Sequence, residues 1–432
     1  MHDVRELLKL GAEAERKLAR RRYTLDLPGL REAHRRRSDS LATLERLRAE
    51  LKKSGAGRRA GAEGPTEAER ERARSLRERV QAAEADVRTV EAALREQLLR
   101  IPNLPLDEIP DGHSEKDAVE VRRGGPPIRK DVEPRHHAEI GTDLGILDTE
   151  GASRLSGARF AVLKGPGARL ERALVSFLLD LHTQRNGYTE YSVPHLVTRD
   201  TMTGTGQLPK FEEDLFATSA GDRELFLIPT AEVPLTNLVA RDPADEAALP
   251  LALTAATPCY RAEAGSYGRD TRGILRLHQF EKVELVRVCT PERARAELEV
   301  LVGHATDCLE ELGLSYRVVV LPAGDTGFSA RMTYDIEVWL PGSDAYREVS
   351  SCSDCGDFQA RRAGIRYRDA AGRRRPAATL NGSALPVGRT VAALLEQGLQ
   401  PDGSVRLPEC LVPYTGFRWI LPGGGTALTT RG

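Results

Sequence analysis

One stretch of 30 residues, Pro258 to Arg287, constrains the fold more than any other part of the sequence, because its charged residues recur at strand spacing. Two segments within and beside it have the composition of strands, Leu253 to Glu263 and Leu277 to Cys289. The residues between them are rich in glycine and charge, which favours a loop. This pattern predicts an antiparallel hairpin with a long tip.

Side chains two residues apart on a strand share a face, so Arg261 and Glu263 lie together, as do Phe280, Lys282 and Glu284. Such a surface is unsuited to a core, because buried unpaired charges are costly. It suits a charged, planar ligand: arginine holds a phosphate or carboxylate, an aromatic ring stacks on a base, and carboxylates accept from amines or hydroxyls. The alternative is a solvated sheet face, which explains any two of these residues better than the whole set.

The segment RAEAGSYGRDTRGILRLHQFEKVE resembles motif 2 of class II aminoacyl-tRNA synthetases, specifically the form found in the seryl-tRNA synthetase family. The resemblance extends over nearly all 432 residues. It implies an α+β fold, with an antiparallel β-sheet catalytic domain flanked by helices at residues 106–432. An N-terminal helical domain with an antiparallel coiled-coil arm is implied at residues 1–105.

Composition agrees with a large globular protein, with 40% hydrophobic and 29% charged residues. No apolar run reaches the ~18 residues of a membrane span, and the N-terminus lacks the apolar core of a signal peptide. We therefore expect a cytoplasmic protein without a membrane partner. Six scattered cysteines predict reduced thiols. The pair Cys352 and Cys355 lacks the further ligands of a zinc site and is interpreted as structural.

The first 100 residues hold 25 Lys and Arg against 18 Asp and Glu, a net charge of +7, whereas the remainder carries −8. A heptad seam and a less regular facing stripe predict two packed helices. The seam is Ala73, Leu76, Val80, Ala83, Val87, Val90 and Leu94, and the stripe is Leu41, Leu44, Leu47 or Arg48, and Leu51. Between them a glycine-rich basic turn precedes Thr66 and Glu69, which are spaced as a capping box. The prediction is an antiparallel helical hairpin about 40 Å long with a positive tip.

A basic coiled-coil arm suits either nucleic-acid binding or protein docking, and charge alone does not decide, since charged flanking positions are common in any coiled coil. The resemblance implies that this arm grips the long variable arm of serine tRNA, and of selenocysteine tRNA where present, and does not bind DNA. The implied contact candidates are Arg46, Arg48, Lys52, Lys53, Arg58, Arg59, Arg70, Arg72, Arg74 and Arg77.

Apolar residues from Leu170 to Leu181 predict an amphipathic helix over residues 167–186, followed by one strand, GYTEYSVPHLV, that contains Pro194. Core packing explains the helix by itself, and a proline suits an edge strand. The combination resembles motif 1 of class II synthetases, which implies a homodimer interface through the catalytic domain near Pro194.

The resemblance also implies a pocket for L-serine. The residues implied are Thr230, Ala231, Glu232, Glu284, Asn381 and Ser383. Thr230 and Glu232 would take the amino group, because an ammonium suits a hydroxyl acceptor and a carboxylate. Glu284 would accept from the serine hydroxyl. Such a site rejects alanine strongly, whereas threonine is rejected by sterics, and one methyl group is worth only about 1–3 kcal/mol.

The residues implied to bind ATP are Arg261, Ala262, Glu263, Leu277, Phe280, Glu348, Val349, Ser350, Ser351 and Arg389. Arg261 and Arg389 are implied to be catalytic, the first at the serine carboxylate or the α-phosphate and the second at the γ-phosphate. Phe280 would stack on adenine. Glu348 and Ser351 match the positions that hold Mg²⁺ in the family, and this cation prefers carboxylate, hydroxyl and phosphate oxygens.

Three positions depart from the form that the family implies. In the motif 3 segment TLNGSALPVGRTVAALLEQ, Ala384 stands in place of glycine and Pro386 in place of alanine, and Asp354 stands in place of asparagine. Alanine adopts positive φ only at a cost, and proline has no amide donor. We therefore expect a small local difference in the backbone or the pocket.

Taken with the resemblance, the sequence predicts ATP-dependent activation of serine followed by transfer to the 3′ end of serine tRNA. It contains neither a dinucleotide-binding nor a P-loop glycine motif, so ATP would bind on the antiparallel sheet. Two alternatives stay open: a paralogue with a biosynthetic or antibiotic-resistance role, and a donor of seryl-adenylate to a carrier protein. A catalytically inactive RNA-binding protein would predict loss of the charged site, but Arg261, Glu263, Glu284, Glu348 and Arg389 are all present.

Overall fold

The computed structural model describes residues 1–56, 66–240, 242–264 and 272–429. The chain divides into two compact units, Met1–Pro102 and Asn103–Gly432. Within the described ranges, no helix combines the length and the apolar character that crossing a membrane requires.

The N-terminal unit is helical. Its helices are α1 (Val4–Leu10), α2 (Ala12–Ala19), α3 (Leu27–Ala56) and α4 (Glu67–Arg100). The capping box predicted at the start of α4 is confirmed: Thr66 Oγ1 accepts from the amide of Glu69 at 3.3 Å, and the Glu69 carboxylate accepts from the amide of Thr66 at 2.9 Å. These two bonds satisfy amides that the helix itself leaves free.

The two long helices α3 and α4 pack through the predicted seam. Leu44, Leu47, Val80 and Val87 are buried between them, and Leu41, Leu51, Leu76 and Ala83 flank this core. Ion pairs join Arg37 to Glu91 and Arg48 to Glu84. The partner's residue number falls along α4 as the residue number rises along α3, so the two helices run in opposite directions. The predicted antiparallel helical hairpin is therefore confirmed. Its glycine-rich turn, with Arg58 and Arg59, lies outside the described residues.

The C-terminal unit combines short helices with long strands. Its helices are α5 (His137–Asp143), α6 (Thr149–Ser156), α7 (Pro166–Asp180), α8 (Arg199–Thr205), α9 (Glu232–Leu238), α10 (Ala294–Glu311), α11 (Phe358–Ala363), α12 (Val387–Gly398) and α13 (Val412–Thr415). Its longer strands are β1 (Val119–Gly124), β6 (Ala217–Ala220), β7 (Arg223–Leu227), β9 (Leu251–Tyr260), β10 (Gln279–Cys289), β11 (Tyr316–Val320), β12 (Met332–Leu340), β13 (Ala345–Asp354) and β16 (Ala378–Pro386). The remaining strands have two or three residues: β2 (Leu147–Asp148), β3 (Val162–Leu163), β4 (Thr189–Glu190), β5 (Leu196–Val197), β8 (Ala244–Asp245), β14 (Arg366–Arg368), β15 (Arg374–Pro376), β17 (Val405–Arg406), β18 (Trp419–Ile420) and β19 (Thr426–Ala427).

The centre of this unit is an eight-stranded sheet in the order β1-β11-β12-β13-β16-β10-β9-β4. Its neighbouring strands are antiparallel except for β4 and β9, which are parallel. Residues of α7, α10 and α12 form one large core with one face of the sheet, while α9 and α11 pack at one end of the other face. The predicted fold class, an antiparallel sheet flanked by helices, is confirmed.

The predicted hairpin is formed by β9 and β10, which pair from Leu251 and Val288 to Tyr260 and Gln279. The prediction that its first strand extends to Glu263, with Arg261 and Glu263 on one strand face, is wrong, because β9 ends at Tyr260 and Glu263 has a φ of +53°. The predicted helix over residues 167–186 is also confirmed, as α7 continued by a π-helical turn, Leu181–Arg185. The single strand predicted around Pro194 is wrong. Strand β4 pairs with β9, whereas β5 pairs with β7 in a separate three-stranded sheet. Proline has no amide hydrogen for a sheet ladder, so the chain changes sheet where Pro194 lies.

Candidate active site

A cavity of about 280 Å³ opens over β9, β10, β13 and β16, on the face opposite the large helical core. Most residues predicted for the site line it. They are Thr230, Glu232, Arg261, Glu263, Leu277, Phe280, Glu284, Glu348, Val349, Ser351, Asn381, Ser383 and Arg389. The structure thus brings together residues that are up to 159 positions apart in the sequence.

Three predicted residues do not line the cavity. Ala231 is fully buried in the core beside α9. Ser350 is buried and donates to the carbonyl of Ser383 at 2.6 Å, so it holds two strands together. Ala262 contributes its backbone, whose amide donates to the carbonyl of Asp214 at 2.9 Å. These residues support the walls of the cavity from outside it.

One end of the cavity contains a buried ionic network. Lys282 and Glu284 form an ion pair, and their residues are 6% and 1% exposed. Thr230 Oγ1 donates to Glu284 Oε2 at 3.0 Å and accepts from Lys282 Nζ at 2.9 Å. Thr230 Oγ1 and Lys282 Nζ both contact Oε2 of Glu284. Among the described residues, Oε1 of Glu284 is therefore available as an acceptor. We call this set of three side chains the Lys282 network.

Glu232 lies beside this network and is also buried. Its Oε1 accepts from Gln359 Nε2 at 2.7 Å, and its amide donates to Thr230 Oγ1 at 3.2 Å. Burial, reinforced by the nearby Glu284 carboxylate, raises the pKa of Glu232 to about 7. A cation bound here would restore the charged form, because an opposite charge favours ionisation.

Arg261 lies next to the ring that was predicted to stack on a base. Its guanidinium carbon is 5.2 Å from the centroid of the Phe280 ring, and its Nε donates to the carbonyl of Pro229 at 3.2 Å. The backbone amide of Arg261 donates to the carbonyl of His278 at 2.9 Å, which ties the two ends of the hairpin tip together. The Nε bond thus fixes the side chain of Arg261, which lines the cavity.

Glu263 pairs with an arginine that sequence reasoning did not assign. Arg276 Nη1 donates to Glu263 Oε2 at 2.8 Å across the hairpin tip, and both residues line the cavity. Glu263 has a φ of +53°, an unusual conformation for a residue with a side chain. Such conformations cluster at binding sites, where the surrounding structure maintains them.

The second predicted catalytic arginine, Arg389, lies in the first turn of α12. Its Nε donates to the carbonyl of Leu275 at 2.9 Å and its Nη1 to the carbonyl of Glu348 at 2.6 Å. The Glu348 carboxylate lies 3.7 Å away, and the side chains of Arg389 and Glu348 are 25% and 48% exposed. Arg389 is therefore positioned by two main-chain carbonyls and stays open to the cavity.

The predicted metal-binding residues, Glu348 and Ser351, both line the cavity. Across the β12–β13 pair, Ser351 lies opposite Asp335. The Oδ1 atom of Asp335 is buried without a hydrogen-bond partner among the described residues. Burial, together with the nearby Glu348, raises the pKa of Asp335 well above its usual range. Two carboxylates and a hydroxyl are a donor set that fits Mg²⁺, and a cation would offset the cost of the buried carboxylate.

The departures from the family form have specific structural consequences. The left-handed residue in this segment is Leu385, with a φ of +79°, and not Ala384, so Ala384 does not bear the cost of a positive φ. Pro386 lines the cavity and is paired with Lys282 next to a bulge in the β10–β16 ladder. Ala384 and Leu385 lie at this bulge, and Pro386 follows them as the last residue of β16.

Asp354, in place of the expected asparagine, is fully buried and does not line the cavity. Its Oδ2 accepts from Arg331 Nε at 2.9 Å, and its Oδ1 accepts from the amide of Gly356 at 2.7 Å. The carboxylate is thus paired with a guanidinium that an asparagine would not need. The nearby cysteines are unpaired thiols, as predicted, and Cys355 Sγ donates to Asn381 Oδ1 at 3.8 Å.

Sequence reasoning missed several residues that shape the site, including Lys282, Asp335, Gln359 and Arg276. Lys282 shares a face with Phe280 and Glu284, so its alternation with them was the available signal. An aspartate in the apolar strand β12 was a similar signal for Asp335. Gln359 had none, because its contact with Glu232 spans 127 residues.

The candidates for tRNA contact on α3 and α4 are exposed. Arg48 pairs with Glu84 and Arg74 with Glu78. The other described candidates have no partner among the described residues, so their charges are free to meet phosphates. They are Arg46, Lys52, Lys53, Arg70, Arg72 and Arg77.

Both units of the chain match family models of known proteins. Residues 211–398 match the family model of the tRNA synthetase class II core domain (G, H, P, S and T). Residues 1–105 match that of the seryl-tRNA synthetase N-terminal domain. The antiparallel sheet with its two cavity-facing arginines is thus the core of a class II aminoacyl-tRNA synthetase.

Relatives narrow the class to one family. The chain is 69% identical over 429 residues to serine--tRNA ligase 2 of Streptomyces avermitilis, covering 99% of this chain and 100% of that one. It is 51% identical over 421 residues to serine--tRNA ligase of Nitratidesulfovibrio vulgaris, covering 96% and 98%. The crystal structure of seryl-tRNA synthetase from Pyrococcus horikoshii, complexed with ATP, superposes with a TM-score of 0.86 at 33% identity, covering 98% and 100%. The chain therefore belongs to the seryl-tRNA synthetase family.

Proposed function

We propose that this chain activates L-serine with ATP to form seryl-adenylate and then transfers the seryl group to the 3′ end of serine tRNA. The observation that carries the proposal is the Lys282 network, which lies in one cavity with Arg261 and Arg389. A buried carboxylate with one committed oxygen and one available oxygen suits a small hydroxyl-bearing substrate. The two arginines suit the phosphates of a nucleotide.

Serine would bind at the end of the cavity that contains Glu232 and Glu284. Glu232 would neutralise its ammonium group, and Glu284 Oε1 would accept from its hydroxyl. Asn381 and Ser383 would contribute polar groups to the same wall. Alanine would leave the Glu284 oxygen without its donor, and an unpaired buried carboxylate is costly.

ATP would occupy the other end, with adenine on Phe280 and the phosphates between Arg261 and Arg389. A serine carboxylate oxygen attacks the α-phosphorus, and the bond from that phosphorus to the bridging oxygen of pyrophosphate breaks. No protein nucleophile is needed. The chain aligns two bound substrates, and Arg261 offsets the negative charge that develops at the α-phosphate.

Mg²⁺, when bound, would neutralise phosphate charge. Glu348 and Ser351 would hold it, with Asp335 behind Ser351 as a further oxygen donor. The fit of this donor set is the reason for the proposal. Arg389, which contacts the main chain of Glu348, would meet the same phosphates.

In the second step the terminal ribose hydroxyl of tRNA attacks the seryl carbonyl, and AMP leaves. The exposed arginines and lysines of α3 and α4 would hold the tRNA by its phosphates. We place this chemistry in the cytoplasm, where serine tRNA is charged.

We also propose that two copies of the chain form a homodimer through the region around Pro194. Tyr191 and Leu196, on either side of this proline, are 39% and 46% exposed. Exposed large apolar side chains that flank one site are typical of a protein interface. Sedimentation equilibrium tests the proposal, and a fully active monomer would contradict it.

The proposed function is tested by pyrophosphate exchange with serine, followed by charging of serine tRNA in the same preparation. Serine-dependent exchange with charging supports the proposal. Exchange without charging would favour a carrier protein as the acceptor, and absence of exchange would contradict the proposal.

A second candidate is a specialised copy of the enzyme that tolerates a serine-analogue inhibitor. It is favoured by Pro386, which lines the cavity beside Lys282, and by Leu385 in its left-handed conformation. The relative from Streptomyces avermitilis bears the number 2 in its name. Inhibition of pyrophosphate exchange by serine analogues, measured for the wild type and for Pro386→Ala, tests this candidate. Equal sensitivity of the two proteins would contradict it.

A further inference from the structure

A buried glutamate in α12, Glu396, accepts three hydrogen bonds and does not line the cavity. Its Oε1 accepts from the amide of His137 at 3.0 Å and from His137 Nδ1 at 2.8 Å, and its Oε2 accepts from the amide of Gly342 at 2.7 Å. The side chains of Glu396 and His137 are both completely buried. An ionised carboxylate can only accept, so the proton of the imidazole belongs on Nδ1.

The other ring nitrogen of His137 contacts the base of the hairpin tip. Its Nε2 is 3.2 Å from the amide nitrogen of Ile274, which is a donor, so Nε2 is the acceptor. Gly273 permits this approach, since a Cβ there would lie 2.1 Å from Nε2. Both ring nitrogens thus have fixed and opposite roles, set by a carboxylate on one side and a main-chain amide on the other.

Ile274 adjoins the residue that positions a catalytic arginine. The carbonyl of Leu275, one residue later, accepts from Arg389 Nε at 2.9 Å. Arg389 and Glu396 both belong to α12, seven residues apart. The contacts therefore close a ring: Glu396 to His137, His137 to Ile274, Leu275 to Arg389, and Arg389 back to Glu396 through the helix.

We propose that His137 is a positioning residue for ATP, which holds the segment Ile274 to Leu277 at a fixed distance from α12. Ile274, Leu275 and Leu277 line the cavity at its nucleotide end. Without the acceptor at Nε2, the Ile274 amide would be buried and unpaired, and the segment would move away from Arg389. This inference rests on the proposed activation of serine by ATP.

The same groups do not form a metal site. His136, His137 and Glu396 place potential ligand atoms within 4.8 Å of one another. However, Nε2 of His137 already accepts from the amide of Ile274, and its Nδ1 donates to Glu396. His136 Nδ1 accepts from the amide of Ala138. A metal ion would have to displace these bonds, so the geometry is that of a hydrogen-bond relay.

Two substitutions separate the bonds of His137. In His137→Asn the amide nitrogen can still donate to Glu396, but no acceptor reaches Ile274. In His137→Gln the amide oxygen reaches toward Ile274, but the donor to Glu396 is lost. We expect His137→Asn to raise the KM for ATP in pyrophosphate exchange about tenfold, with the KM for serine nearly unchanged, and His137→Gln to raise it less than about threefold.

The matched control is His182→Asn, which alters another buried histidine. His182 Nε2 contacts Cys308 Sγ at 3.2 Å, and neither residue lines the cavity. This variant should lower the melting temperature without changing the KM for ATP. If His137→Asn changes both KM values in parallel, or changes neither, the positioning role is wrong.

A second variant keeps the test decisive if His137→Asn does not fold. Glu396→Gln has the same shape, but it adds a donor where only acceptors fit, and it should raise the KM for ATP several-fold. Binding of ATP is also measured directly by calorimetry. An inactive wild-type enzyme would contradict the proposed function, whereas unchanged ATP binding in both His137→Asn and Glu396→Gln would overturn this inference alone.

Discussion

The two ends of the cavity are built differently. At the end proposed for serine, which we call the serine end, Lys282, Glu284 and Thr230 are almost completely buried and bind one another. At the end proposed for ATP, which we call the nucleotide end, Arg389 and Glu348 are partly exposed, and Arg389 donates to two main-chain carbonyls. The polar side chains of the serine end are therefore held in place by one another without a substrate, whereas the nucleotide end has cationic donors that are available to phosphates.

This contrast relates structure to specificity. A small amino acid offers few contacts, so a pocket that selects it needs groups already fixed in place. ATP is large and highly charged, so its site can bind through a few partly exposed arginines. We infer that discrimination is located at the buried end and charge stabilisation at the open end.

The largest expected effect comes from the open end. Arg261→Ala removes the guanidinium next to Phe280, and we expect kcat/KM for serine-dependent pyrophosphate exchange to fall about a thousandfold. Steady-state exchange kinetics measure this. Arg199→Ala is the control, because Arg199 is an exposed arginine that pairs with Glu212 and Glu224 outside the cavity. An Arg261→Ala enzyme as active as this control would disprove the site assignment.

The next effect tests the buried end. Lys282→Met leaves Glu284 buried without its partner, so we expect a loss of about 3–5 kcal/mol in stability and about a hundredfold in kcat/KM for serine. Adding Glu284→Leu should restore stability, because a buried ion pair replaced by apolar groups costs little. Urea denaturation and exchange assays measure the two quantities. Recovery of serine activation in the double variant would refute the role of Glu284.

The serine end should also respond to pH through Glu232. Because the pKa of Glu232 is about 7, its ionised fraction rises about tenfold between pH 6 and 8, and the KM for serine should fall correspondingly. The folded protein holds this proton where the unfolded chain has lost it. Stability therefore decreases by at most about 3 kcal/mol as pH rises from 4.5 to 7.

Glu232→Gln isolates this titration, since glutamine cannot ionise. Its KM for serine and its stability should lack the pH dependence that Glu232 contributes. Exchange assays and urea denaturation from pH 5 to 8, taken as differences from the wild type, measure both. Identical pH profiles in the two proteins would mean that Glu232 does not titrate in this range.

The smallest expected effect leaves both ends of the cavity unchanged. Replacing Lys52 and Lys53 with glutamate should raise the KM for tRNA several-fold and weaken its dependence on salt, because phosphate contacts are lost. Pyrophosphate exchange should be unaffected. Charging assays at several salt concentrations measure this, and a parallel loss of exchange would show that the substitutions disturb the fold instead.

Local patterns in the sequence predicted much of this structure. Alternation along β10 placed Phe280 and Glu284 correctly, and heptad spacing predicted the pairing of α3 with α4. Arg261 lines the cavity too, but it follows the end of β9 and strand alternation does not place it. Both patterns are local, so the sequence contains them directly. The resemblance to a family supplied Glu348 and Arg389, which no spacing rule connects to the hairpin.

The rest depends on tertiary contacts. The bulge between Lys282 and Glu284 arises from pairing with β16, and the contact of Glu232 with Gln359 joins distant segments. The left-handed residue is Leu385 and not Ala384, and it lies where the register of β16 shifts against β10. Sequence patterns report faces and periods, but not which groups meet across them.

The most direct test of this account is the ratio of kcat/KM for serine to that for alanine in pyrophosphate exchange. A preformed buried carboxylate that requires a hydroxyl donor predicts a ratio of about 10⁴ or more. A ratio near ten would mean that the pocket selects by size alone, and would contradict the role assigned to Glu284 and Lys282.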